Sequence, residues 1–283
     1  MAVTKTPIED VAGDFHRPAE HDGVALWWLG QAGFLLRHND LRLAVDPYLS
    51  DSLAEKYRGT PFPHRRIMAA PVAAGALTEL DFVFCTHSHT DHMDPGTLPD
   101  MARASPRCRF VVPAAERMKA MERGVPPDRL ILVAAGDVVV LSGNFSAAVV
   151  PAAHEERWQD GEGHDFFLGY KFRAGEKAVY HSGDCVPFDD LGDWLGVDSI
   201  DVALLPVNGR DARRKANGIP GNFHLLEAIA LCRNAAIPLL LGHHFGMFDF
   251  NTIEVEAARS EIRSLGASSY AELIQPMTRY DIR

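Results

Sequence analysis

The stretch CTHSHTDHMD, residues 85–94, crowds three histidines and two aspartates into a few positions. It directly follows the apolar run DFVFC, which predicts a short buried strand. Loops at strand ends are frequent places for ligands, and imidazole and carboxylate groups without thiolate suit Zn²⁺, Mn²⁺ or iron. Clustering so many titratable groups has no evident structural benefit unless a cation binds them. The stretch therefore predicts a metal-binding loop at the edge of a sheet.

Further strand ends carry the same types of side chain. VVPAAHEE places His154 after a predicted strand, YHSGDC places Asp184 and LLLGHHFGMF places His243 and His244. A lone histidine after a strand is more often a simple hydrogen-bonding group than a ligand. Four such strand ends in one chain instead predict a site that holds two metal ions.

The other apolar runs have strand length, and a few segments have helical spacing. Strands are predicted at residues 24–30, 34–38, 41–47, 81–85, 109–113, in LILV, DVVVL, FSAAVVPAAH, FLGYKFRA and KAVYHSGD, and at 201–209 and 237–244. Helices are predicted from about residue 95, in AAERMKAMERG, at 222–235 with Asn222 as the N-cap, and at 251–266 closed by Gly266. This order is satisfied by two sheets packed face to face with helices outside them.

The chain has 283 residues, of which 47% are hydrophobic, so it can bury a sizeable core in one large α/β domain or two small ones. We expect a polar N-terminal arm over residues 1–22 and a single domain over residues 23–283. Residues 48–79 are long for a plain connection and suggest a lid over the site.

The formal net charge of −10 argues against a nucleic-acid or anionic-membrane surface, since both need basic patches. The four cysteines form no CxxC pair, which favours reduced, buried thiols. The N-terminus lacks the apolar core of a signal peptide, and no run approaches the length needed to span a membrane. We therefore expect a soluble, cytoplasmic protein.

The combined pattern, H-x-H-x-D-H followed by a distant His, Asp and His, resembles the metallo-β-lactamase superfamily of metal-dependent hydrolases over residues 27–280. Within it, WWLGQAGFLL, THSHTDHMD, GVPPDRLILVAAGDVVVL, YHSGD, IDVALLPVNG and the paired histidines resemble the L-ascorbate-6-phosphate lactonase group. The resemblance implies a four-layer αβ/βα sandwich, with two mixed sheets and helices on the outer faces. It also implies two divalent ions, manganese for the lactonase itself, with zinc or iron as alternatives.

The same resemblance assigns ligands residue by residue. One ion is assigned to His87, His89 and His154, and the other to Asp91, His92 and His244, with Asp184 bridging the two. Asp46 matches an early aspartate that would orient the His/Asp loop from behind. His243 would also lie behind the ligands, or replace His244 as a ligand. Residues 48–79 and 155–164 lack correspondence with the lactonase.

A water between two such ions would lose its proton near neutral pH and attack the substrate. Asp91 would pass that proton toward the leaving group, and His224 is a second candidate proton donor. The segment NGRDARRKANGIPGNFH, residues 208–224, offers groups that could meet an anionic substrate, namely Asn208, Arg210, Arg213 and Arg214. Weaker candidates in the loops are Tyr48, Arg65, Arg66, Trp158 and His164.

The first hypothesis is therefore a dinuclear metal-dependent hydrolase of a small, anionic lactone or related ester. The alternative is a phosphodiesterase that acts on phospholipid-like or nucleotide substrates. A third hypothesis, a non-catalytic metal-binding module, is disfavoured because all the ligand positions are filled, and a β-lactamase is disfavoured despite the family name. The paired tryptophans Trp27 and Trp28, together with the arm, suggest a homo-oligomer.

Overall fold

A computed structural model describes residues 2–196 and 199–283. Its strands are β1 Val3–Pro7, β2 Val24–Gly30, β3 Gly33–His38, β4 Leu41–Val45, β5 Phe82–Phe84, β6 Arg109–Pro113, β7 Leu130–Val133, β8 Val138–Ser142, β9 Phe145–Pro151, β10 Leu168–Ala174, β11 Lys177–His181, β12 Val202–Pro206, β13 Leu239–His243, β14 Ala271–Leu273 and β15 Thr278–Ile282. Its α-helices are α1 Val11–His16, α2 Ser52–Lys56, α3 Leu98–Ala104, α4 Arg117–Glu122, α5 Leu191–Gly196, α6 Ala212–Ala216, α7 Leu225–Asn234 and α8 Val255–Ser264.

The chain divides into two compact units. The first unit comprises Met1–Val133, Gly246–Phe250 and Gln275–Arg283, and the second comprises Ala134–Phe245 and Asn251–Ile274. Each unit contains one mixed sheet with helices, so the predicted α/β class is confirmed. The expectation of one domain over residues 23–283 stays a prediction.

The sheet of the first unit has the order β1-β15-β2-β3-β4-β5-β6-β7. Its strands are antiparallel from β1 to β4 and parallel from β4 to β7. Because β4 and β5 are parallel neighbours, their carboxyl ends lie at the same sheet edge. The pairing of Val45 with Phe84 therefore brings Asp46 beside the start of the His/Asp loop.

The sheet of the second unit has the order β14-β13-β12-β11-β10-β9-β8. The strands from β11 to β14 are parallel, whereas β10 is antiparallel to both β9 and β11. Since β9 and β11 both oppose β10, they run in the same direction. The chain therefore leaves β9, β11 and β13 at one edge of this sheet, where His154, Asp184 and His244 follow.

The N-terminal segment differs from the arm that its polar composition predicts. β1 pairs in antiparallel register with β15, and α1 buries Val11 and Phe15 in the apolar core of the first unit. The Asp14 side chain accepts a hydrogen bond from Trp27 Nε1 at 2.9 Å. These contacts hold residues 3–16 against the sheet, while Met1 lies outside the described residues.

The start of α7 also differs from the sequence prediction. His224, rather than Asn222, is the N-cap, and its backbone N–H donates to Glu227 Oε2 at 2.8 Å. Asn222 is 1% exposed and uses its side chain elsewhere in the fold. The shift follows because a buried partner outcompetes the local capping role that an asparagine at a helix start suggests.

Both tryptophans expected to offer apolar surface are buried. Trp27 is 1% exposed and Trp28 is 2% exposed, and the indole of Trp28 donates to the Gln31 carbonyl oxygen at 2.9 Å. They therefore give no support to a homo-oligomer, which stays a prediction. Within the described ranges, every helix is too short or too polar to cross a bilayer.

Candidate active site

The His/Asp loop of the first unit begins where β5 ends, and Asp46 fixes its first residue. Asp46 accepts hydrogen bonds from the backbone N–H of Thr86 at 2.7 Å and from its hydroxyl at 2.6 Å. Asp46 is fully buried and has φ 45°, a strained backbone conformation for an aspartate. A strained conformation persists only where surrounding contacts hold it in place, and such residues cluster at functional sites.

Asp46 also sets the orientation of His92. The distance from Nδ1 of His92 to Oδ2 of Asp46 is 2.7 Å, and both side chains are fully buried. A carboxylate facing Nδ1 favours the proton there, so in the neutral imidazole Nε2 carries the lone pair. This arrangement is the one that metal-binding histidines use, with a carboxylate behind the ring.

The loop histidines lie close together. The ring centroids of His87 and His92 are 4.0 Å apart, and those of His87 and His89 are 4.6 Å apart. His87 and His92 are buried, whereas His89 is exposed. The Asp91 Oδ2 atom lies 3.9 Å from Nε2 of His92. We call His87, His89, Asp91 and His92 the first ligand set.

Three residues that hold this loop had no assigned role in the sequence. Gln31, in the turn after β2, donates from Nε2 to Asp91 Oδ2 at 2.9 Å. Arg123 donates from Nη1 to the carbonyl oxygens of His89 and Met93 at 3.2 and 2.5 Å. Burial raises the pKa of Glu116, whose carboxyl group is hydrogen-bonded to Ser88. These contacts hold the Asp91 side chain and the backbone at His89 and Met93.

Asp94 joins the loop to the segment that follows β4. It is fully buried and accepts hydrogen bonds from Ser50 Oγ at 2.9 Å, Ser52 Oγ at 2.6 Å and Thr97 Oγ1 at 2.5 Å. The backbone N–H of Gly96 adds a further bond at 2.9 Å. A carboxylate that accepts so many bonds is a structural hub, so Asp94 belongs to the loop scaffold rather than to the ligands.

In the second unit, Asp184 lies between two imidazoles. Its Oδ1 atom is 3.1 Å from Nε2 of His244, and its Oδ2 atom is 3.5 Å from Nε2 of His154. All three side chains are buried. Each carboxylate oxygen thus faces one ring nitrogen. We call His154, Asp184 and His244 the second ligand set.

The histidines of the second unit are held from behind. Nδ1 of His154 lies 3.1 Å from the carbonyl oxygen of Gly221, which places a proton on Nδ1 and, in the neutral imidazole, the lone pair on Nε2. His244 has φ 66°, a strained value for a non-glycine residue. His243 is fully buried, and its ring stacks on that of His181 with centroids 5.4 Å apart. Burial and both neighbouring histidines hold the pKa of His243 well below its ordinary value.

The basic segment at residues 208–224 uses most of its polar groups within the fold. Arg210 forms a bidentate ion pair with Glu227, at 2.6 and 2.7 Å, and the pair raises the pKa of Arg210. Arg214 pairs with Asp211 at 2.6 Å. Asn208 is 2% exposed and hydrogen-bonds to two other asparagines, while Arg213 is exposed. An anionic substrate would therefore have to compete with Glu227 for Arg210.

The remaining candidates lie in varied surroundings. His224 is exposed at the start of α7, and Trp158 is 63% exposed. Tyr48 is fully buried beneath the guanidinium of Arg66, which lies 4.9 Å from the ring centroid, and Arg65 is exposed. His164 pairs with Asp160 at 3.2 Å. The loop over residues 48–79 contains α2 and a short 3₁₀ turn at Ala74–Ala76.

The donor chemistry of both sets fits divalent metal ions. Each set combines imidazole nitrogens with a carboxylate and contains no thiolate, a combination that suits Zn²⁺, Mn²⁺ or iron. In each set one histidine has Nδ1 hydrogen-bonded to a fixed oxygen, which orients Nε2 as the ligand atom. His/Asp clusters that could bind metal are thus present in both units.

Comparison with known proteins gives a family match. Residues 42–245 match the family model described as the beta-lactamase superfamily domain. An N-acyl-phosphatidylethanolamine-hydrolyzing phospholipase D 1 of Caenorhabditis elegans is 23% identical to this chain, and the matched region spans 88% of this chain and 70% of the nematode protein. A UPF0173 metal-dependent hydrolase of Opitutus terrae is 29% identical, covering 72% and 81% respectively.

Solved structures share the fold. Igni18, a metallo hydrolase from the archaeon Ignicoccus hospitalis, superposes with a TM-score of 0.63 at 19% identity, covering 89% of this chain and 95% of its own. At that identity the likeness concerns the fold alone. It agrees with the two mixed sheets and helices that the sequence predicts.

Proposed function

This chain belongs to the beta-lactamase superfamily of metal-dependent hydrolases, and on that premise we propose that it hydrolyses an ester bond with the help of two divalent ions. The observation that supports the proposal is that other groups of the protein already orient the candidate ligand atoms. Asp46 and the Gly221 carbonyl orient His92 and His154, and Asp184 presents one oxygen to each of two imidazoles. Such outer contacts are characteristic of metal-binding histidines.

The assignment of ligands follows the family pattern. His87, His89 and His154 would hold one ion, Asp91, His92 and His244 would hold the other, and Asp184 would bridge them. The bound ions would supply an activated water and stabilise negative charge that develops on the substrate. Manganese and zinc are the first candidates, and iron is an alternative, because the donor set accepts all three.

The protein's own groups would handle the proton. Asp91 is held at Oδ2 by Gln31, which fixes the carboxylate in one orientation. We propose that Asp91 takes the proton of the attacking water and delivers it to the leaving group. His224 is a second candidate donor, since its imidazole is exposed at the start of α7.

The first substrate class is a small lactone or related ester, as the resemblance to the lactonase group suggests. Arg210 gives little support to a substrate with an anionic substituent, because Glu227 already pairs with its guanidinium. The second class is a phosphodiester of the phospholipid type. It is favoured by the similarity to the nematode phospholipase D, which extends over 88% of this chain.

Elemental analysis of purified protein, followed by assays with the bound metal, tests the proposal. We expect His89→Ala and Asp184→Ala each to lower bound metal and abolish hydrolysis, since each removes a ligand. His16→Ala, which removes an imidazole at the end of α1, should retain both. Full activity in either ligand variant would contradict the mechanism.

A panel of lactones and phosphodiesters then separates the two substrate classes. Hydrolysis confined to the lactones would support the first class, and hydrolysis confined to phosphodiesters would support the second. Arg210→Ala should change KM for anionic and neutral substrates by similar factors if Glu227 keeps Arg210 occupied. A selective rise in KM for anionic substrates would restore Arg210 to an anion-binding role.

A further inference from the structure

We propose that three buried asparagines, Asn208, Asn222 and Asn251, are positioning residues that set Asp184 and His154 for metal binding. The proposal rests on the proposed function of these two residues as ligands. It gives the basic segment at residues 208–224 a different role from anion binding. We call the segment a brace because its hydrogen bonds would hold the second ligand set in position.

A continuous path of hydrogen bonds connects the three amides to the residue after Asp184. The backbone N–H of Cys185 donates to Oδ1 of Asn222 at 3.0 Å. Nδ2 of Asn222 donates to Oδ1 of Asn208 at 3.0 Å, and Nδ2 of Asn208 donates to Oδ1 of Asn251 at 2.7 Å. Nη1 of Arg214 donates to the same Asn251 oxygen at 2.8 Å.

The direction of this path is determined at both ends. A backbone N–H can only donate, so Asn222 must turn its oxygen toward Cys185 and its NH₂ toward Asn208. A guanidinium can only donate as well, so Asn251 must present its oxygen to Arg214. Asn208 therefore has one orientation that satisfies both neighbours.

The same segment holds the second ligand from the other side. The Gly221 carbonyl oxygen accepts from Nδ1 of His154 at 3.1 Å, directly before Asn222 in the chain. The backbone N–H of Phe223 donates to the Cys185 carbonyl oxygen at 2.9 Å. Residues 221–223 thus contact both His154 and the backbone beside Asp184, which couples the positions of the two ligands.

Burial makes the path sensitive to the loss of a single donor. Asn208 and Asn222 are 2% and 1% exposed, and Asn251 is 9% exposed. Water cannot readily replace a missing bond at such positions, so an acceptor facing another acceptor forces a movement of the backbone. Near Asn222, the backbone that would move carries Asp184 or contacts His154.

The directionality provides a matched pair of variants. Asn222→Asp keeps the shape and the oxygen toward Cys185 but turns a second oxygen toward Oδ1 of Asn208. Asn251→Asp keeps the oxygen that accepts from Asn208 and Arg214 and adds charge attraction to Arg214. Both changes introduce one carboxylate into the same path, yet only the first removes a donor that the path uses.

The affinity of the folded protein for Zn²⁺ and Mn²⁺, measured by chelator competition, is the test, together with hydrogen exchange of the Cys185 amide. We expect affinity to fall about 10-fold to 100-fold in Asn222→Asp, with faster exchange at Cys185. Asn251→Asp should stay within about 2-fold of wild type, because its bonds persist. Arg214→Leu, at a partly exposed helix, should weaken binding less than Asn222→Asp and serves if that variant does not fold.

Several outcomes would overturn the inference. Unchanged metal affinity in folded Asn222→Asp, even with a lower melting temperature, would show that the asparagines serve stability alone. Equal losses in Asn222→Asp and Asn251→Asp would contradict the directional path. If Asn222→Asp does not fold, unchanged affinity in Arg214→Leu would count against the brace. Wild-type protein that binds metal but hydrolyses neither ester class would refute the proposed reaction alone, whereas wild-type protein that binds no metal would refute both proposals.

Discussion

Two histidines, His92 of the first unit and His154 of the second, share one arrangement. In each, Nδ1 is hydrogen-bonded to a buried oxygen, from the Asp46 carboxylate or the Gly221 carbonyl. The bond selects the tautomer and restricts rotation of the ring, so less ordering remains to be done when a ligand binds. Asp46, which faces His92, and His244 also have positive φ, a strained backbone conformation for a residue other than glycine.

At the residue scale, Asp46→Asn should weaken metal binding by about 10-fold to 100-fold. In one orientation the amide would turn its NH₂ toward His92 Nδ1, which donates to Asp46 in the wild type. In the other, the single oxygen would face His92 and the bond from the Thr86 backbone N–H would be lost. Chelator competition measures the loss. Asp81→Asn is the matched control, because that exposed carboxylate accepts a hydrogen bond from the backbone N–H of Arg42. Equal losses in the two variants would contradict a specific role for Asp46.

At the element scale, α1 and β15 are joined through buried charges. Nη1 of Arg279 lies 3.2 Å from Asp14 Oδ1, and the two side chains are 7% and 4% exposed. Trp27 donates its indole N–H to the same carboxylate. A charged strand with the sequence TRYDI is stable in this sheet because acidic partners surround Arg279, including Asp281 at 3.0 Å.

Asp14→Ala should lower the free energy of unfolding by about 3 kcal/mol, since it leaves a buried guanidinium with fewer partners and an indole without its acceptor. Urea denaturation followed by fluorescence measures the change. Arg17, whose side chain is 68% exposed, places Nη1 3.4 Å from Oδ1 of the same Asp14 carboxylate. Arg17→Ala should therefore lower the free energy of unfolding by less than about 1 kcal/mol. A large effect of Arg17→Ala, or a small effect of Asp14→Ala, would contradict this account.

At the scale of the whole molecule, the sequence predicts where strands begin and end better than it predicts which distant side chains hydrogen-bond to each other. The strands at residues 24–30 and 109–113 have the predicted bounds, because each is a short, mostly apolar run between turns. β14 has only three residues, and β15 contains buried charges, so neither shows an apolar pattern. The roles of Gln31 and Asn222 depend on partners 60 and 37 residues away, at Asp91 and Cys185. Local spacing carries no signal for such contacts.

Thermal unfolding of the whole chain should depend on the metal. An ion that binds the folded state alone stabilises it by about 2.7 kcal/mol at a free concentration 100 times its dissociation constant. For a chain of 283 residues, that corresponds to a rise in melting temperature of roughly 4–5 °C, reversed by a chelator. Calorimetry with Zn²⁺ or Mn²⁺ measures the shift.

Two variants show whether this shift comes from the assigned ligands. Asp184→Ala should abolish most of the metal-dependent rise, because Asp184 faces both His154 and His244. Asp14→Ala should lower the melting temperature with and without metal by similar amounts, since Asp14 contacts Arg279 and Trp27 rather than a ligand. A rise of wild-type size in Asp184→Ala would mean that the stabilising ion binds elsewhere, and the assignment of Asp184 would then be wrong.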